Sequence, residues 1–350
     1  MTSLADYTTL GLGGPARNFV SAAGDAELIE AVRAADAAAE PVLLIGGGSN
    51  LVISDEGFGG TVIHVNTRGL TFAEAGDGVV NVTVAAGEDW DSVVAVTVAE
   101  GLSGLETLSG IPGRAGATPI QNVGAYGREV AEVITEVRVY DRQEDQVKVI
   151  PNEGCAFAYR TSLFKAAGPR HVVLAATFRL ARQPASMPVK YAELATELGV
   201  AAGERASVGE VRSAVLKIRA RKGMVLCPGD PDTRSVGSFF TNPIVSAGEF
   251  ARVGAAAAGR GVAGPVPGYP AGEGLVKLSA AWLIERSGFA KGYGAPAPAR
   301  VSTKHTLALT NTGNATTADL VALAREIVDG VQNAFGVTLT PEPTLIGVTL

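Results

Sequence analysis

Groups that bind metals or form disulfides are scarce in this chain. Its 350 residues include 2 cysteines and 3 histidines. Cys155 and Cys227 cannot build a disulfide framework and lack the spacing of a metal knuckle, so they read as reduced thiols of a cytoplasmic protein. His64, His171 and His305 stand singly, and no metal site is expected from them. Charged residues are also thin, at 18%, so few surface features can be electrostatic. Their balance is acidic, with a net charge of −6. That argues against a nucleic-acid surface, and an anionic ligand would need a local group of Arg and Lys. No apolar run reaches the roughly 20 residues of a membrane span. Residues 1–7 show no basic stretch followed by an apolar core, so no export signal is expected. A monomer acting on small molecules, with no nucleic-acid or membrane partner, is the expectation.

What is present in quantity is apolar and flexible. Hydrophobic residues make up 47%, which excludes global disorder. The length suits two or three domains. Over the first 180 residues strands and helices alternate. Asp25 reads as the cap of a helix to about residue 39, with Leu28, Ile29 and Val32 on one face. Strand-like runs lie at 42–45, 61–65, 79–84, 137–140, 147–150 and 172–180. A helix beginning near Asp89 carries Trp90, Val93, Val94 and Val98 and ends at Gly101. Turn and breaker residues at 222–235 mark a boundary or crossover. Beyond it, Leu320, Leu323, Ile327, Val328, Val331 and Phe335 recur at helical spacing, with Thr316 and Asp319 as a variant capping box. Gly336 ends that helix, and a last strand is expected to begin at 337–339.

Two glycine-rich segments stand out. In the first, apolar residues 42–45 enter Gly46-Gly47-Gly48-Ser49-Asn50, and Leu51, Val52 and Ile53 leave it as a strand. Successive N–H groups in such a turn can cradle phosphate oxygens. The helix and third glycine of a dinucleotide fingerprint are missing, and no Lys-Ser/Thr follows for a nucleoside-triphosphate loop. A tight hairpin would show the same residues. The second segment, 110–127, contains Gly110, Pro112, Gly113, Gly116, Ala117, Pro119, Gln121, Asn122, Gly124, Ala125 and Tyr126, and no acidic group. Glycine lets a ligand touch the main chain, and the two amides can both donate and accept. This suits the wall of a flat, polar-edged ligand, and equally a long surface loop.

Three shorter motifs carry reactive groups. In Tyr159-Arg160-Thr161-Ser162-Leu163-Phe164-Lys165 the guanidinium of Arg160 sits among apolar neighbours and wants a carboxylate, on a ligand or in a structural ion pair. In Gly237-Ser238-Phe239-Phe240-Thr241-Asn242-Pro243 the serine lacks the hydrolase elbow and any nearby His. A donor or general acid suits it better than a nucleophile, and a turn serine is the plain alternative. In Thr340-Pro341-Glu342-Pro343 a carboxylate is fixed between two prolines, which suits a functional acid or an edge-strand surface residue.

In order and spacing, these motifs resemble the MurB family of flavin enzymes. The resemblance spans nearly the whole chain, from Thr9-Leu10-Gly11-Leu12-Gly13-Gly14 to Glu342. It implies an α+β fold: a two-lobed FAD-binding domain of the p-cresol methylhydroxylase type plus a smaller α+β substrate-binding domain. The expected division is 1–215 for flavin, with a lobe boundary near 67, then 216–336 for substrate. Residues 337–350 would return to the flavin region carrying Glu342. The implied cofactors are non-covalent FAD and NADPH as hydride donor. The implied reaction turns UDP-N-acetylglucosamine enolpyruvate into UDP-N-acetylmuramate, a peptidoglycan precursor, with hydride going from flavin N5 to C3. Ser238 would give the proton to C2, with Arg160 and Glu342 assisting at the substrate carboxylate. Both glycine segments, from Gly46 to Leu51 and from Gly110 to Tyr126, would hold FAD. Tyr191 assigns the chain to the family's tyrosine-loop form. Tyr191, Lys222, Asn242 and His305 would touch the substrate. The family pattern is departed from at 224–236, a Pro-rich stretch longer than expected, and at Pro343-Thr344 after the glutamate. A flavin oxidase with tethered cofactor is disfavoured because the glycine loops hold no His. A non-catalytic sugar-nucleotide sensor is disfavoured by the intact Arg160, Ser238 and Glu342.

Overall fold

The apolar strands segregate into separate sheets according to what covers them. The computed structural model describes all residues from Met1 to Leu350, in two units. The first comprises residues 1–2, 16–48 and 59–225, and the second 3–15, 49–58 and 226–350.

In the first unit, strands Ala16–Ala22, Phe58–Val65 and Val42–Ile45 form a sheet in that order, the last two parallel. The Asp25–Ala37 helix adjoins it and buries Leu28 and Val32. Its N-cap is Gly24, one residue before the expected Asp25, which lies in the first turn where a carboxylate favours the helix dipole. A six-stranded sheet follows the order Gln146–Pro151, Ile134–Asp141, His171–Arg182, Val79–Ala85 and Leu70–Glu74, with Leu102–Ser103 added on His171–Arg182. Val80, Val82 and Val84 alternate into the core with Trp90 and Phe178. Trp90 opens the Trp90–Ala99 helix, whose cap Asp89 accepts from the Ser92 amide as expected. A third helix, Val208–Arg221, was not read from the sequence. It carries a capping box between Ser207 and Glu210 and packs Val211, Val215 and Ile218 on Val189 and Leu194. With this helix included, the first unit runs to Val225, ten residues past the expected boundary at 215.

The second unit has one apolar core around the Thr317–Phe335 helix, which buries Leu320, Leu323, Ile327, Val331 and Phe335 as their spacing predicts. Its capping box joins Thr316 and Asp319, and Gly336 ends it in the left-handed region. Helices Ala247–Gly259 and Ala280–Arg286 complete the core. No strand forms at 337–339, where one was expected. The last strand is Thr344–Ile346, which pairs in parallel with Leu51–Ile53. Residues 51–53 are thereby drawn to the C-terminal segment and not to Val42–Ile45, so the triple glycine is not a hairpin turn. The C-terminal segment clusters with the second unit, together with residues 49–58.

Candidate active site

Within the first unit the two glycine segments meet. A Cβ on Gly47 would lie 2.8 Å from the Gly113 Cα, and one on Gly46 would lie 3.1 Å from the Arg114 Cγ. Two main chains so close admit no side chain, which accounts for glycine at 47 and 113. The N–H groups of Gly47 and Gly48 donate to no backbone carbonyl. The second segment is anchored along its length. Asp91 accepts the Gly110 amide at 2.6 Å while holding Arg212 with both oxygens, at 2.6 and 2.9 Å. Burial pushes the Asp91 carboxyl up, but Arg212 and the Gly110 amide outweigh it and leave its pKa lowered. Gly116 is packed on Ala86. Pro112 precedes this contact and Pro119 follows the turn Ala115–Ala117. Gly124 and Ala125 pair with Arg128 and Glu129, next to half-buried Gln121 and buried Asn122.

The side chain of Asn122 is committed to the loop itself. It donates to Glu129 at 2.7 Å and to the Ala158 carbonyl at 3.2 Å, and accepts from the Ala131 amide at 3.2 Å. That is three of its four bonding positions, so its side chain shapes the loop. Ser162, which had no assigned role, donates to the Ile120 carbonyl at 2.5 Å and caps the Leu163–Ala166 turn. It docks the arginine motif on the loop. Arg160 donates to the Gly124 carbonyl at 3.1 Å and is half-buried, with its guanidinium 5.7 Å from the Tyr159 ring centroid. Asn122, Tyr126 and Arg160 all have positive φ, at 47°, 52° and 55°. Ala39, Asp77, Asp145 and Ala156 share this conformation, which costs about 1–2 kcal/mol for most residues and less for Asn and Asp.

Tyr126 and Tyr191 also meet in the first unit, edge to face at 5.4 Å between centroids. Burial raises the Tyr126 phenol to about 12, and its bond to Arg219 only partly offsets this. Arg219, three residues before Lys222, is half-buried, with its Nε enclosed. Desolvation lowers its pKa, and it donates to the Met224 carbonyl at 2.8 Å. Lys222 is paired with Glu193 at 2.5 Å.

In the second unit the segments carrying Ser238 and Glu342 pair through their backbones. The Glu342 amide donates to the Phe239 carbonyl at 2.9 Å, and Phe240 bridges Pro341. Phe239 and Phe240 are buried, which fixes the half-buried Ser238 at the edge of the core. Asn50 donates to the Glu342 carbonyl at 3.5 Å and accepts from Thr344 at 2.9 Å, so the end of the first glycine segment holds the glutamate strand. Ser49 precedes it, and Leu51 pairs with Thr344. Asn242 accepts the Ala280 amide at 2.9 Å and so caps a helix with its carbonyl oxygen. The loop of His305 reaches the serine motif through the Leu307 carbonyl, which accepts from Phe239 at 2.7 Å.

The stretch 224–236 braces that loop. Asp232 accepts from the Thr303 amide at 2.9 Å and from its hydroxyl, and Asp230 pairs with Lys304. Thr9 donates to the Ser235 carbonyl at 2.6 Å, and Asn311 to the Leu10 carbonyl at 2.9 Å, which ties the N-terminal glycine motif to the same brace. No group of three or more His, Cys, Asp or Glu is placed to hold a metal, and no helix is long and apolar enough to cross a membrane.

Comparison with known proteins agrees with this layout. Residues 16–149 match the FAD binding domain family, and residues 230–346 match the UDP-N-acetylenolpyruvoylglucosamine reductase C-terminal domain. The chain is 59% identical to the UDP-N-acetylenolpyruvoylglucosamine reductase of Thermobifida fusca, covering 99% of this chain and 97% of that one. It is 57% identical to that of Streptomyces coelicolor, covering 99% and 90%. The crystal structure of MurB from Thermus caldophilus superposes with a TM-score of 0.65 at 26% identity, covering 99% of this chain and 97% of that one. An FAD-binding region joined to a second α+β unit, with relatives this similar along their whole length, leads to one conclusion: the chain belongs to the MurB family of FAD-dependent reductases.

Proposed function

We propose that this MurB-family reductase completes reduction of UDP-N-acetylglucosamine enolpyruvate with Ser238 as proton donor to C2 and Glu342 as its neighbour at the reacting end. The observation that carries this reading is the hydrogen bond from the Glu342 amide to the Phe239 carbonyl, 2.9 Å long, which sets the two motifs side by side. The residues fit FAD. The Gly47–Gly113 approach keeps every Cβ out of the turn, and the Gly47 and Gly48 amides donate to no backbone carbonyl, which leaves them for phosphate oxygens. Both glycine segments would hold FAD, which when reduced by NADPH would supply the hydride.

The protein's own residues then handle charge and proton. Hydride addition next to a carboxylate leaves an enolate-like dianion. The Arg160 guanidinium, fixed by Gly124, stabilises that charge, and loss of such a donor costs about 10²–10³ in rate. Serine is a weak acid in water, so it serves here only against a strongly basic carbon and only when held close. The buried phenylalanines after Ser238 supply that restraint. Tyr191 and Lys222 are assigned to the substrate diphosphate, as in the tyrosine-loop form, with Asn242 and His305 as further substrate contacts. A monomeric, cytoplasmic enzyme completes the proposal; light scattering and cell fractionation check those two points.

The half-reactions test the assignment. Ser238→Ala is expected to leave anaerobic bleaching of the flavin by NADPH intact and to slow colour recovery on adding enolpyruvyl substrate by about 10²–10⁴. Equal losses in both halves remove Ser238 from the proton-transfer step.

A further inference from the structure

Arg114 follows the glycine contact and has no place in the mechanism above. Its Nε is buried without a partner. No carboxylate pairs with its guanidinium, although two acids are close by along the chain path. Arg114 bridges Asp89 through the backbone, but the Asp89 carboxylate caps the Trp90–Ala99 helix through Ser92. Glu88 accepts from the Gly69 amide at 2.8 Å and from Arg68 at 3.5 Å. The surroundings are cationic: His64 is pushed below its usual range by burial and then by Arg114 and Arg68. A half-buried arginine beside another arginine and a histidine, with nearby acids engaged elsewhere, is destabilising until an anion arrives. Arg114 also lies against Gly46, where the parallel strand Val42–Ile45 ends and the Gly47 and Gly48 amides lack backbone acceptors. Strand ends of this kind, with a turn of successive N–H groups, are where phosphate oxygens bind.

We propose that Arg114 is the cation for the diphosphate of FAD, acting with the Gly46–Gly48 turn as one anion site. A diphosphate would satisfy the orphaned guanidinium and the turn amides together. The arginine would then contribute to cofactor affinity and not to stability of the empty fold. The same chemistry fits a phosphate of NADPH, and the test separates the two.

FAD is stripped from the protein, and rebinding of FAD and of riboflavin, which has no diphosphate, is followed by flavin fluorescence. For Arg114→Met, FAD affinity is expected to fall roughly 10- to 150-fold, with riboflavin affinity unchanged and partial recovery in Arg114→Lys. Thermal unfolding of the flavin-free form is expected to be unchanged or higher in Arg114→Met, because the substitution removes charge repulsion and no bond. The proposal is overturned if FAD affinity stays within about twofold of the parent, or if FAD and riboflavin weaken equally. It is also overturned if FAD binding is normal while bleaching needs more NADPH, which would give the cation to the nicotinamide nucleotide. The affinity and melting readouts use flavin-free protein, and bleaching precedes proton transfer to substrate, so all are independent of the proton-donor role of Ser238.

Discussion

The two ends of the wall proposed to hold flavin are built by opposite means. At Gly47 and Gly113 two main chains touch, and the contact works because side chains are absent. At 118–131 the loop is held by side chains: Asn122 bridges three partners, and Ser162 reaches in to bond Ile120. The first arrangement keeps side chains out, and the second fixes the loop by bonds within the protein. Glycine-rich sequence therefore does not mean one thing even within a single site. At one end it marks close approach, and at the other it allows bends that polar residues then lock.

Substitutions can break this contrast. The largest effect is expected from Gly47→Ala. Its Cβ would meet backbone at 2.8 Å, so the two segments must part: FAD affinity should drop roughly 100-fold or more, and flavin-free melting should fall too. If flavin-free melting is unchanged, the close approach is not what requires glycine there. Asn122→Ala probes the end held by side chains. Losing three bonds at a buried, positive-φ site is expected to cost about 2–4 kcal/mol in urea unfolding, with or without flavin. A control comes from Gly101, which has φ 68° and nothing near its missing Cβ. Gly101→Ala should cost only about 1–2 kcal/mol and leave FAD affinity alone.

The smallest effect is a titration. The raised pKa of Tyr126 means the folded state favours the neutral phenol, so this contribution is intact below pH 10 and lost as pH rises toward about 12. A difference spectrum against Tyr126→Phe should show one phenol ionising near the upper value. Ionisation at the ordinary tyrosine position would mean that the loop is more open to water than its side-chain brackets imply.

Much of this could be read from the residues. Most strand and helix positions in the first 180 residues followed alternation and caps, because those signals are local; strands Ala16–Ala22 and Leu70–Glu74, largely exposed, were not read. The Thr317–Phe335 helix announced itself by an apolar stripe, a capping box and Gly336. The helices Val208–Arg221, Ala247–Gly259 and Ala280–Arg286 did not stand out, since small or charged residues dilute their stripes. The expected strand at 337–339 failed because apolar character predicts burial, and Val337 and Leu339 are buried without a partner strand. Asn122 reads the same as a ligand-binding amide or a loop bracket, and only its neighbours distinguish the two.

By itself the sequence determined which residues are chemically able to act: a lone serine before two aromatics, a glutamate between prolines, an arginine among apolar residues, and two clusters of glycine. Those are properties of composition and local backbone freedom. Only the tertiary structure decided which of them meet. Gly47 reaches Gly113 across a strand end, and Glu342 reaches the Ser238 motif by pairing with Phe239. Asp230 and Asp232 turn an irregular stretch into a brace. Contacts between distant segments depend on how whole sheets and helices bury their apolar faces, and no local pattern of residues encodes that.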